Sequence, residues 1–393
     1  MLLRIATLLG ATAAAQPHYP GAEWERRSAA EAGFDSGRLQ DAFDYVALDN
    51  PVASDFYCAS VHRDGYLIQD AYNPTPNPGA PGGDGPRTPE SKSVIFSTSK
   101  PVIASLIGWL EMVGLVTTED AASDFIEQWV GGNSSGVTID MLLRHDSGRF
   151  FYDWYLDAEF SQSMPSQTDY GLVLAQMHEP GSTYAYNQMA FQALERVITE
   201  AAPDGMDVPA LTQRELWGPL SFETDTFWWA EGFEWPPDSG LPGPPTDPIV
   251  YGGMTTSCRD LARFCHLWLH KGEWEGGHRV FSDDFYEKAL ETGPRGHSTY
   301  HWSAGPNHGA GGAFDQVCSF NPENGVVVTR LGGTGNTGGG GNAAQFITRV
   351  MEALADPADR GSFNATRHAA EFRTMTAREL PLERAAASRQ AQH

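Results

Sequence analysis

The strand signals of this chain sit towards its two ends with a long helical stretch between them, and that order restricts the fold more than any other feature. Phe56 to Val61 and Tyr66 to Ala71 flank Arg63-Asp64-Gly65, which predicts a β-hairpin. Far downstream, Gln316 to Phe320 and Val326 to Leu331 read as strands. Between about Thr117 and Thr226 the pattern is mostly helical, at Ile139 to Arg144, Tyr170 to Met177 and Met189 to Glu200. Further helices are expected from Asp35 through Val46, from Ser257 through Leu269 and from Ala343 to Leu354. The fold class is therefore mixed α/β. At 393 residues, 41% hydrophobic, the chain has material for a core and a second lobe.

A Pro/Gly-rich loop from Asn73 to Pro89 delivers the chain to Ser97-Thr98-Ser99-Lys100, after which Val102, Ile103, Leu106, Ile107 and Leu110 recur at helical spacing. Ser97 thus opens a buried helix. A serine and a lysine three apart on a helix project from one face and can touch. A serine hydroxyl needs a base, and a lysine whose neutral form is favoured by apolar neighbours such as Phe96, Pro101 and Val102 can serve. The N-terminal end of the helix adds partial positive charge where an oxyanion would develop. The plain alternative is a capped helix carrying a surface lysine.

Beyond that tetrad, the chain resembles the superfamily of serine β-lactamases, DD-peptidases and family VIII carboxylesterases, in segments running from about Glu31 to Leu354. The family's S-x-x-K matches Ser97 and Lys100. Its Leu-Leu-x-His-x-Ser-Gly segment matches Leu142 to Gly148, and its Pro-Gly followed by Tyr-x-Asn matches Pro180-Gly181 and then Tyr186. The resemblance implies that Tyr186, with Tyr184 as rival, relays the proton to and from the serine together with Lys100. Gln188 stands where the family has Asn, with Asn187 beside it, and both are expected to face substrate. In the third family motif, counting back from Phe314 and Pro322 puts Asn307 at the lysine position. His308 is then the substitute cation, Gly309 a close-approach position, and Ala310 the strand donor that forms an oxyanion hole with the Ser97 N–H. Gly253 to Ala262 and Pro322 to Val328 extend the match.

The fold implied is the β-lactamase/transpeptidase-like one, an antiparallel sheet flanked by helices plus an inserted all-α lobe. The corresponding division is residues 1–15 as a signal peptide, 16–110 and 235–356 as the sheet domain, 111–234 as the helical lobe, and 357–393 as a loosely ordered tail. The implied activity is acyl transfer to water through an acyl-enzyme. Loss of the third-motif lysine and the altered Tyr-x-Asn favour a carboxylic ester or small amide as substrate. A β-lactamase or DD-peptidase is the alternative enzyme, and a catalytically silent binding or scaffold member of the fold the alternative of another class.

Other features narrow the field. Acidic residues outnumber basic ones 50 to 26, a net charge of -24 that repels nucleic acid. Met1-Leu2-Leu3-Arg4, a short apolar run and Ala13-Ala14-Ala15 have the plan of a secretory signal, so a secreted or periplasmic location is expected, and no later stretch is long and apolar enough to span a membrane. Cys58, Cys258, Cys265 and Cys318 form no C-x-x-C pair; export would permit one disulfide, which spacing cannot assign, and the others read as small core residues. Gly132-Asn133-Ser134-Ser135-Gly136 spells a nucleophile elbow, but in a flexible context. Asn133 and Asn364 open glycosylation sequons. His266 and His270 lack a third ligand and read as helix-surface residues, so no metal is expected, and Gly332 to Gly341 lack the ending of a phosphate loop, so no nucleotide or other cofactor is expected. Of the aromatic clusters at Phe150 to Tyr155 and Phe227 to Trp229, Tyr152 and Trp154 are the residues expected to line an acyl pocket, core packing being the other reading.

Overall fold

The computed structural model describes residues 17–47, 56–74, 85–151, 164, 166–223, 226–228, 247–291, 300–303, 305–332 and 341–364. Asp64 and Gly65 take positive φ, 51° and 82°, the turn that lets two right-twisted strands close tightly. It joins β1 (Phe56–Arg63) to β2 (Tyr66–Tyr72). From the other end come β6 (His308–Gly312), β7 (Gln316–Asn321) and β8 (Val326–Gly332). The five form one sheet, β2-β1-β8-β7-β6, in which each neighbouring pair is antiparallel. The contact between the two ends is the β1–β8 pair, with Val61 opposite Val328.

Alternation divides the strand residues between two apolar layers. Ala59, Val61, Val317 and Val328 face Leu39 and Phe43 of α1 (Ser36–Ala47) and Phe346, Ile347 and Val350 of the last helix, Gly341–Glu352. Cys58, Cys318, Phe320 and Val327 face a larger core that includes α2 (Lys100–Met112) and the helix Cys258–Leu269. Residues Lys100 to Leu110 of α2 are all buried, as expected of a helix apolar on every side. Between α2 and that later helix lie Ile139–Leu143, Gln167–Val173, Gln188–Ala201 and Val208–Thr212. The helix expected to reach Met177 ends at Val173, because buried Arg149 donates to the carbonyls of Gly171, Leu172 and Leu174 and holds the chain in an extended exit. A small second sheet, β3-β5-β4, was not foreseen: β5 (Met254–Thr256) pairs with β3 (Ser93–Val94) and β4 (Phe227–Trp228).

Two expectations need correction. All four cysteines pair, Cys58 with Cys258 and Cys265 with Cys318, so helix Cys258–Leu269 is tied at both ends to the sheet. His266 is a core residue, wholly buried beside the rings of Trp24 and His62; the apolar face of its helix is wide enough to take it inward. Most of the tail, the Gly332–Gly341 loop beyond its two ends, and residues 1–16 lie outside the described residues. Among those described, no helix is long and apolar enough to cross a membrane.

Candidate active site

The short 3-10 turn Phe96–Ser99 precedes α2 and carries Ser97 at its second position. Phe96 holds φ +47°, a region a side chain with a β-carbon enters at a cost, and its ring meets that of Phe314 at 5.2 Å. The turn is fixed from below by β5, where the Ile95 N–H donates to the Met254 carbonyl (2.9 Å) and the Met254 N–H to Ser99 Oγ (3.1 Å). Ser97 is therefore presented by a strained, anchored turn.

The structure brings Ser97, Lys100 and Tyr186 together. Lys100 Nζ donates to Ser97 Oγ (3.0 Å), Tyr186 Oη (2.5 Å) and the Tyr251 carbonyl (2.8 Å), which supplies an acceptor for each N–H of an ammonium. Ser97 Oγ and Tyr186 Oη are 2.6 Å apart. Lys100 is wholly buried and Ser97 is 2% exposed. Tyr186, not Tyr184, makes these contacts.

Two histidines to which the sequence assigned no role bracket Tyr186. His145 packs its ring at 4.5 Å from that of Tyr186. Burial first, then the Lys100 charge and His301, push its basicity well below the ordinary value, so it stays neutral. Its Nδ1 accepts from the Asn187 N–H (3.3 Å), which leaves the proton on Nε2. The Leu-Leu-x-His segment was the available signal for it. His301 lies 6.0 Å from Tyr186 on the other flank, with Nε2 against the Gly311 carbonyl at 3.0 Å, and it stands in no motif.

Other expected substrate contacts are placed elsewhere. Asn187 caps the helix Gln188–Ala201: its Oδ1 accepts from the Ala190 N–H, and its Nδ2 donates to the carbonyls of Arg149 and Phe150. That amide is committed to structure. Gln188 is the first residue of the same helix and is buried. Tyr152 and Trp154 lie outside the described residues. Ser134 sits in a run of turns, accepting from Arg149 (2.5 Å) and donating to Gln176 (3.0 Å), so no nucleophile elbow is built there.

The third motif also needs correction. His308 packs on Phe320 at 5.2 Å with Nδ1 against the Ser303 carbonyl, burial pushes its basicity down, and it stabilises a hairpin rather than supplying a cation. Asn307 is buried and accepts from Asn321. Gly309 spends both backbone groups on Ser303: its carbonyl accepts from the Ser303 N–H (2.8 Å) and its N–H donates to Ser303 Oγ (2.8 Å). Backbone groups of successive residues alternate sides along a strand. Gly309 and Gly311 point away from β7, so Ala310 points its N–H into the ladder, opposite Cys318. The other N–H groups on this outer edge belong to Gly311 and, at the start of the following turn, to Ala313. Ala313 follows Gly312, the residue at which β6 comes against the nucleophile turn: a β-carbon there would lie 2.3 Å from the Ile95 carbonyl and 3.0 Å from Thr98 Oγ1.

Comparison with known proteins agrees with this layout. A family model described as Beta-lactamase matches residues 58–347. No individual curated sequence matches the chain. Among solved structures, a putative β-lactamase from Bacteroides dorei DSM 17855 is similar with a TM-score of 0.63 and 17% identity, over 82% of this chain and 100% of that one. A putative 6-aminohexanoate-dimer hydrolase from Bacillus anthracis gives 0.58 and 14%, over 80% and 83%. EstCE1, described as a hydrolase with promiscuous acyltransferase activity, gives 0.55 and 16%, over 82% and 98%. At these identities the structures speak for the fold, while the family match spans most of the sequence and takes in both the Ser97 turn and β6: the chain belongs to the β-lactamase family and has its β-lactamase/transpeptidase-like fold.

Proposed function

We propose that the protein hydrolyses carboxylic esters or small amides through an acyl-enzyme on Ser97. The contact triangle of Ser97, Lys100 and Tyr186 carries this reading. The Ser97 proton passes to the Lys100–Tyr186 pair as Oγ forms a bond to the substrate carbonyl carbon. The resulting oxyanion is held by the N–H groups of Ser97 and, in place of Ala310, Ala313. Collapse of the tetrahedral adduct breaks the ester C–O or amide C–N bond, and Tyr186 returns the proton to the departing oxygen or nitrogen. A water then repeats the sequence on the acyl-enzyme, releasing the acid and restoring the Ser97 hydroxyl.

The substrate preference follows from what β6 offers. With Asn307 and His308 engaged in the hairpin, that strand presents neither as a cation for a carboxylate. The two disulfides favour action in an oxidising compartment outside the cytoplasm. The test is hydrolysis of p-nitrophenyl butyrate and nitrocefin side by side, with wild type and Ser97→Ala. Wild type is expected to cleave the ester, and the variant to lose at least about a thousandfold in kcat. Nitrocefin turned over as fast as the ester would replace this reading with a β-lactamase, and inertness of both, with Ser97 unlabelled by a fluorophosphonate, would leave a silent scaffold.

A further inference from the structure

The outer edge of β6, beside the nucleophile, is where an extended acyl chain would add itself as another strand, its amide N–H donating to an outward-facing carbonyl. Two outward carbonyls are already occupied. Ser303 closes the edge at Gly309 with its backbone N–H. His301 closes it at Gly311 with a side chain, Nε2 lying 3.0 Å from the carbonyl oxygen. To do so His301 holds φ +68°, a conformation that a residue with a β-carbon adopts only where its surroundings impose it, and such positions gather at functional sites. Its ring also flanks Tyr186 at 6.0 Å and is partly exposed, so it borders the space next to the reacting atoms.

We infer that His301 is a specificity-determining residue: by occupying the Gly311 carbonyl it denies the strand edge to acyl groups that carry a peptide amide, and reserves the site for compact acyl groups bound by side-chain surface. This rests on the ester reading above and narrows it. His301 donates from Nε2 to the Gly311 carbonyl, and an incoming amide N–H would have to displace that bond. A simple alkanoyl group has no such N–H and loses nothing.

The experiment compares p-nitrophenyl butyrate with the p-nitrophenyl ester of N-acetylglycine, which share a leaving group and differ in the acyl amide. His301→Gly suits the test because glycine takes positive φ without strain, and His301→Asn is a second variant that tolerates the same backbone. The wild type is expected to favour butyrate, and opening the edge to raise the ratio of kcat/KM for N-acetylglycine ester over butyrate at least tenfold, chiefly through a lower KM. A wild type that prefers the N-acetylglycine ester, or a ratio unchanged within twofold in folded His301→Gly and His301→Asn proteins that still cleave butyrate, overturns the assignment. Absence of cleavage of both esters by wild type overturns the ester reading and this proposal with it, a result distinguishable because no ratio then exists.

Discussion

Gly312 has no room for a side chain, and the reason is the close approach of β6 to the turn that carries Ser97. The strand must run against the Ile95 carbonyl for its outer edge to reach the nucleophile turn, so even a methyl group would push β6 away. The residue after it invites a sharper test. Gly312 is extended (φ -130°, ψ 165°), a conformation suited to preceding proline, and Ala313 is not among the residues with positive φ. Ala313→Pro therefore removes one N–H with little backbone change. A loss of about a hundredfold to a thousandfold in kcat, with the melting temperature nearly kept, is the expected outcome of removing an oxyanion donor; kcat within a factor of three of wild type would return the role to another amide. That Ser97, Lys100 and Tyr186 would meet was legible because they sit in spaced motifs whose chemistry depends on side chains. The direction of each strand amide was not, because in a run of glycines and alanines nothing marks which backbone groups face the ladder. Moving the assignment by an odd number of residues, from Ala310 to Ala313, changes the edge to which the N–H points.

At the scale of elements, the helix Cys258–Leu269 is the member that fastens the core to the sheet. Cys58–Cys258 ties its start to β1 and Cys265–Cys318 ties its later turns to β7. The loops closed are long, the partners being 200 and 53 positions apart, and on the chain-entropy argument each bond restrains the unfolded chain by up to about 4–5 kcal/mol. Reduction under non-denaturing conditions should lower the melting temperature by at least about 5 °C while leaving p-nitrophenyl butyrate hydrolysis intact at room temperature, since neither bond touches Ser97, Lys100 or Tyr186. A melting temperature indifferent to reductant would sink this. Strands and helices were legible from periodicity and turn chemistry, as at Asp64-Gly65, while the three short strands β3, β4 and β5 were not, because two or three residues cannot display a period. Pairing of distant cysteines is equally invisible before the sheet brings them together.

For the molecule as a whole, the buried histidines make acid the natural denaturant. Burial pushes His62, His145 and His266 well below their ordinary basicity, and His270 down to about 4. A base with a depressed folded value is neutral in the native state and takes a proton on unfolding. Its contribution is thus complete above the unfolded value of 6.5 and is lost as pH falls below it. Each such site costs up to about 1.4 kcal/mol per pH unit, so the three wholly buried ones, His62, His145 and His266, together approach about 4 kcal/mol per unit well below pH 6. Glu195 and Asp146, whose carboxyls burial pushes up, bind protons in the folded state and oppose this at lower pH. Melting temperature is expected to be flat between about pH 8 and 7 and to fall by several degrees from pH 6.5 to 5.5; a flat profile through pH 5.5 would refute it.

The antiparallel bond between β1 and β8 also sets a schedule for synthesis. Val61 leaves the ribosome long before Val328, its partner in the sheet, so the first hairpin must wait with one edge unsatisfied while the helices accumulate. The nucleophile turn is made early, and the strand bearing its partner amide arrives late. A nascent or prematurely terminated chain would accordingly carry Ser97 without a working site, which delays hydrolytic activity until the C-terminal strands have joined the sheet.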